Sequence, residues 1–164
     1  MKNTNRLLIA IVIGAVLLIL ATFVIVLNKP EATYQSEDTP GGIAHNYLLA
    51  LQNKDFERAY NCISTTLPGY PTTIEQFTES IEDYSWYARL DTDTTLVIDT
   101  EEIIGIRANV MVRETRFYNR GLFGSSTSIS TFEMDLELER EQWRIVDSDR
   151  YFAWCWRNES GCRK

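Results

Sequence analysis

Histidine is nearly absent from this chain, and lysine is scarce beyond its first third. Of 164 residues, His45 is the one histidine, and after Lys54 the next lysine is Lys164. Zinc sites and serine- or cysteine-based nucleophilic catalysis need histidine with suitably placed partners. Neither chemistry is expected, and no catalytic residue, metal or cofactor is assigned. Cations are in deficit as a class, with 16 Lys and Arg against 23 Asp and Glu and a net charge of −7. Phosphate backbones and anionic lipid surfaces are held by Lys and Arg, so nucleic acid is excluded as a partner and anionic lipid disfavoured. Cysteine is limited to Cys62, Cys155 and Cys162, with no C-x-x-C pair. Phosphate-binding glycine loops, H-E-x-x-H and G-x-S-x-G are also missing.

What the chain does have is one long apolar run. From Leu7 to Leu27, 19 of 21 residues are apolar and none is charged. At about 1.5 Å per residue such a helix is about 32 Å long, enough to cross a bilayer. Cleaved signal peptides have shorter runs of about 7–15 residues that end in small side chains. This run ends in Phe23-Val24-Ile25-Val26-Leu27, which indicates an uncleaved anchor. Lys2 and Arg6 precede the run, whereas Lys29 follows it and Glu31, Glu37 and Asp38 come next. The positive flank stays inside. The expected organisation is a cytoplasmic tail at 1–6, a transmembrane helix at 7–27, a polar linker at 28–40 and a body at 41–164 outside the cytoplasm. Everything after the run carries about −9, and the residues outside it are roughly 38% hydrophobic, low-normal for a soluble domain.

In the body, Ile43, Ala44, Tyr47, Leu48 and Leu51 repeat at helical spacing after Thr39-Pro40, a suitable helix start. A second helix runs from Asp55, as N-cap, to Ile63 with Phe56, Ala59 and Tyr60 inward. A third fits Thr73 to Asp83. The period then changes to that of strands, at Leu96-Val97-Ile98, Ile103 to Tyr118, Thr127 to Glu139 and Trp143 to Val146. A hairpin centred at Leu122-Phe123 sets Arg107 against Glu139, Asn109 against Glu137, Met111 against Asp135 and Arg113 against Glu133. Its other face joins Ala108, Val110 and Val112 to Leu138, Leu136 and Met134. One face is then apolar and the other charge-paired. Helices followed by an antiparallel sheet imply an α+β layer architecture, three N-terminal helices packed on a curved sheet.

The segment Asn53-Lys54-Asp55-Phe56-Glu57-Arg58-Ala59-Tyr60, following a helix with Tyr47-Leu48-Leu49-Ala50-Leu51, resembles the opening of nuclear transport factor 2-like domains. The strand Trp143-Arg144-Ile145-Val146-Asp147 is similar to that family's closing strand. The resemblance implies a cystatin-like cone with an interior pocket. The family includes enzymes and binding modules alike, so the fold does not select between them.

Several constellations have plainer readings. Asp91-Thr92-Asp93-Thr94-Thr95 matches the nucleophile motif of haloacid dehalogenase-like phosphatases, but the downstream lysine and βα alternation are missing, and a turn is expected. Glu101-Glu102 and Asp147-Ser148-Asp149 are read as turn residues. Glu133, Asp135, Glu137 and Glu139 form an acidic row, read as a solvated strand face that could also attract a basic partner. Cys155 and Cys162 are expected to form a disulfide, with pairing of Cys62 to a tail cysteine as the rival and Cys62 otherwise a buried thiol. Tyr47, Phe56, Tyr60, Phe77, Trp86 and Trp143 are the candidate lining of a ligand pocket, against plain core packing. The expected function is a membrane-anchored binding or interaction domain for a protein or a small apolar ligand. The alternative is an isomerase- or cyclase-like enzyme acting on a small apolar molecule in the cone. A homodimer through the sheet face is a further expectation.

Overall fold

A computed structural model describes residues 11–22, 32–85, 90, 93–119 and 124–162. Lys2, Arg6, both ends of the expected membrane span, Trp86, Asp91-Thr92 and Leu122-Phe123 lie outside the described residues. The chain divides into two compact units, Met1–Thr33 and Tyr34–Lys164.

In the first unit, helix α1 covers residues 11–22. Ile11, Val12, Ile13, Val16, Leu17, Leu18, Ile19 and Leu20 are all exposed, so the helix is apolar around its whole circumference. Thr22 donates its hydroxyl to the Leu18 and Ile19 carbonyls, keeping the one polar side chain satisfied within the helix. No helix among the described residues is long and apolar enough to cross a membrane.

The second unit begins earlier than the expected boundary at Gly41. Tyr34 packs under the Arg58 guanidinium at 3.7 Å, and Asn46 clasps Gln35 through both its amide atoms, at 2.7 and 2.9 Å. These side-chain bonds draw the end of the polar linker into the fold. Helices α2 (Pro40–Gln52), α3 (Phe56–Cys62) and α4 (Ile74–Tyr84) follow, capped by the side chains of Thr39, Asp55 and Thr73. Strands β1 (Thr94–Ile104), β2 (Arg107–Asn119), β3 (Ser125–Glu139) and β4 (Gln142–Ser148) form an antiparallel sheet in the order β1-β2-β3-β4. The architecture is therefore α+β. Helices α2 and α3 lie on the sheet, whereas α4 packs on α3 and on a C-terminal 3-10 turn, Trp154–Arg157.

Two strand expectations need correction. The expected strand from Ile103 to Tyr118 is broken at Gly105-Ile106, because Gly105 has φ +63° and turns the chain back. Ile103 and Ile104 therefore end β1. The β2–β3 register is displaced by two residues. Arg107 faces Glu137, Asn109 faces Asp135, Met111 faces Glu133 and Arg113 faces Thr131. On the inner face Ala108, Val110 and Val112 meet Leu136, Met134 and Phe132, and all six are buried. A shift of two keeps every side chain on its face, so the pattern alone does not distinguish the two registers. Glu101, Glu102 and Asp147 also belong to strands rather than turns, because β1 and β4 run further than their apolar segments. Glu101 turns inward and accepts from the Gly41 N–H at 2.8 Å, placing negative charge at the start of α2.

The aromatic tail is an integral part of the core. Tyr151, Phe152, Ala153, Cys155 and Trp156 are buried. Trp156 stacks on Phe77 at 5.3 Å and meets Phe152 edge-on at 4.9 Å, locking α4 to the tail. Each such side chain contributes about 1.5–3 kcal/mol by leaving water. Cys155 and Cys162 are disulfide-bonded with Cα atoms 5.0 Å apart, and Cys62 is a free, buried thiol.

Candidate functional site

The inward parity that buries Ala108, Val110 and Val112 continues to Glu114 and Arg116. Apolar packing gives way there to ionisable groups. The Glu114 side chain is 0% exposed, while Arg116 and Arg150 beside it retain 20% and 30%. Arg116 donates its Nε–H to one carboxylate oxygen, and Arg150 donates to the other. Arg150 also reaches Ser130 Oγ, opposite Glu114 on β3, at 2.9 Å. Arg116 reaches the Tyr151 hydroxyl at 3.3 Å. The strands position Glu114, Arg116 and Ser130, and the tail after β4 supplies Arg150 and Tyr151.

The electrostatics of this cluster are decided by the guanidinium groups. Burial pushes the Glu114 carboxyl up, but hydrogen bonds from Arg150 and Arg116, with their charges, outweigh it and hold the group below its ordinary value. Burial raises the Tyr151 hydroxyl to about 12, so it remains protonated. The arrangement is one carboxylate between two arginines, with net charge +1. It can orient and attract charge. It is poorly suited to take a proton, because both carboxylate oxygens already accept from guanidinium groups and the ionised form is favoured.

Of the six aromatics suggested by the sequence, the five described ones border different spaces. Tyr47 and Phe77 are wholly buried, and Tyr47 donates its hydroxyl to the Tyr151 carbonyl. Tyr60 is half-buried, meets Phe77 edge-on at 5.7 Å and donates to the Pro71 carbonyl at 3.0 Å. It also lines a cleft of about 380 Å³ with Tyr70, Glu139 and Arg144. Trp143 is buried and borders a second cleft of about 560 Å³, beside Glu37, Arg58 and Cys62. Phe56 is half-buried against the core. Trp86 lies outside the described residues.

Sequence reasoning missed Glu114, Arg116, Arg150 and Tyr151. The signal for the first two was present, since extending the inward parity of β2 by two more steps reaches both. Nothing local marks Arg150 and Tyr151, which arrive from the far end of the chain. Among the described residues no group of three or more His, Cys, Asp or Glu is placed to hold a metal ion.

No family model matches the chain, and no curated protein does. Solved structures similar in part include a SEC-C motif-containing protein from Rhodopseudomonas palustris, at 14% identity and TM-score 0.46, covering 71% of this chain and 81% of that one. An NTF-2 like protein of unknown function from Shewanella oneidensis has 12% identity and TM-score 0.44, covering 65% and 90%. A nuclear transport factor 2-like superfamily protein from Salmonella enterica has 14% identity and TM-score 0.42, covering 66% and 84%.

Proposed function

We propose that the chain is a single-pass membrane protein whose nuclear transport factor 2-like body lies outside the cytoplasm and binds a partner without transforming it. The membrane part rests on the uncharged apolar run Leu7–Leu27, and on an α1 that is apolar on every side. The orientation rests on the excess of Lys2 and Arg6 ahead of the run over Lys29 after it.

The observation that carries the binding reading is the state of Glu114. An isomerase or cyclase working by proton transfer needs an interior carboxylate with a free lone pair and a raised pKa. Glu114 is enclosed on the inner face, yet its carboxyl is lowered and both of its oxygens are occupied by arginines. That favours a group fixing the shape and charge of the interior over a base.

Two measurements test the reading. Protease added to intact cells should remove the body and leave a short fragment that alkaline carbonate fails to extract. Protection of the body inside intact cells would overturn the orientation, and release by carbonate would overturn the anchor. Separately, proton exchange or isomerisation catalysed by the purified full chain and abolished by Glu114→Gln would overturn binding without chemistry.

A further inference from the structure

The outer face of the sheet has a composition that the interior cluster does not explain. Two cross-strand rows lie side by side there, one through Glu102, Asn109, Asp135 and Asp147 and the next through Ile104, Arg107, Glu137 and Arg144, whose guanidinium turns aside to the Asn61 carbonyl and Gln142. Apart from Arg144, they line a cleft of about 370 Å³, to which the extra residue of the β4 bulge, Val146, adds an apolar wall. Arg107 donates to Glu137 at 3.0 Å, and Arg157 pairs with Asp147. Asn109 bridges Glu133 and Asp135 at 3.0 and 2.9 Å without neutralising either. Among the described residues, no cation lies within ion-pair distance of Glu102, Glu133 or Asp135.

Beside these carboxylates, Ile104 at the end of β1 and Ile106 in the β1–β2 turn are 71% and 63% exposed, whereas Ile103, opposite Ala108, belongs to the other face of the sheet. Clustered exposed aliphatic side chains on a folded surface mark a contact site. Strand β1 is also an edge of the sheet, so an extended segment running along it would turn alternate side chains toward this face.

Charge selects the occupant. A twofold contact with a second copy would lay the acidic row against itself, and opposed like charges are unfavourable. Anionic lipid would meet the same repulsion. A cationic segment would be attracted by the row and, at longer range, by the acidic body.

We propose that the surface around Glu102, Ile104 and Asp135 docks an extended basic segment of another protein, in which lysine or arginine alternates with aliphatic side chains. The proposal rests on the binding reading above and names the partner chemistry for it. Its test uses the full chain in zwitterionic nanodiscs, with isoleucine methyl NMR as readout and an alternating Lys-Val octapeptide as probe. Saturable binding is expected, with shifts at the Ile104 and Ile106 methyls and none with a Glu-Val octapeptide. The double variant Glu102→Lys/Asp135→Lys should weaken binding at least tenfold, and Ile104→Ser at least threefold. Reversal of two exposed acids elsewhere, Glu82→Lys/Glu159→Lys, should change it less than twofold. Unchanged methyl shifts of buried Ile43 and Ile81 verify that each variant is folded. Absence of saturable binding overturns the proposal, as does equal weakening by the distant reversal, peptide-free self-association through these methyls, or the same shifts on phosphatidylglycerol nanodiscs alone. Failure here with Glu114 inert removes only this surface, whereas Glu114-dependent turnover with the peptide bound as stated removes only the binding-without-chemistry reading.

Discussion

At the scale of single residues, Glu114 is the position where most is at stake. Replacing it with glutamine leaves Arg116 and Arg150 facing each other without the charge that holds them. Breaking a buried ion pair from one side costs about 3–5 kcal/mol. Glu114→Gln should therefore lose about 3 kcal/mol in urea unfolding at neutral pH. The pH dependence has a definite sign. The folded carboxyl lies below its ordinary value of 4.5, so its contribution is complete above that value and is lost as pH falls through the folded value. Between pH 7 and pH 3 the wild-type urea midpoint should fall more steeply than that of Glu114→Gln, and parallel curves would contradict the clamp. Cys62 gives a second residue-level outcome. Burial, reinforced by the Glu37 charge, pushes its thiol up to about 12, and thiolate is the reactive form. Alkylation at pH 8 should find no reactive thiol in the folded chain and one after unfolding in urea. Labelling of the native protein would show that Cys62 is accessible.

At the scale of elements, helices were easier to read than strand pairing, for a physical reason. Thr39, Asp55 and Thr73 cap the helices where the sequence places them, because a cap and an apolar period are both local. Register is set by turns. The β2–β3 turn lies partly outside the described residues, and the hydrophobic pattern is indifferent to a slip of two. The β1–β2 turn depends on one glycine inside what otherwise reads as a continuous strand. Gly105→Ala forces a side chain into positive φ and should cost about 1 kcal/mol. Gly42→Ala meets a different obstacle, because its Cβ would lie 1.9 Å from the Ser36 carbonyl oxygen. The chain entering α2 would have to move, so this variant should lose more, about 2–3 kcal/mol. Chemical denaturation of both variants checks the order, and a Gly42→Ala protein as stable as Gly105→Ala would contradict the packing of the linker end on α2.

At the scale of the whole molecule, composition reads most clearly where it is uneven. Setting Leu7–Leu27 apart separates an uncharged apolar segment from an acidic remainder, and the two compact units divide nearby, at Thr33 and Tyr34. The β2 half of the clamp was within reach of that strand's parity, but Arg150 and Tyr151 were not legible, because they meet Glu114 and Arg116 from 36 and 35 positions further along the chain. The two units also lead to different outcomes for one substitution. Leu17 is the midpoint of Leu7–Leu27 and an exposed residue of α1. A lysine at the centre of a membrane helix raises the cost of insertion by about 2.5–3.5 kcal/mol, whereas the body has its own core and does not draw on that position. Leu17→Lys should therefore lower the fraction of the chain that resists carbonate extraction. It should leave the urea midpoint of the body, read by tryptophan fluorescence, within experimental error of wild type. Unchanged carbonate resistance in the Leu17→Lys chain would contradict the membrane reading of the apolar run.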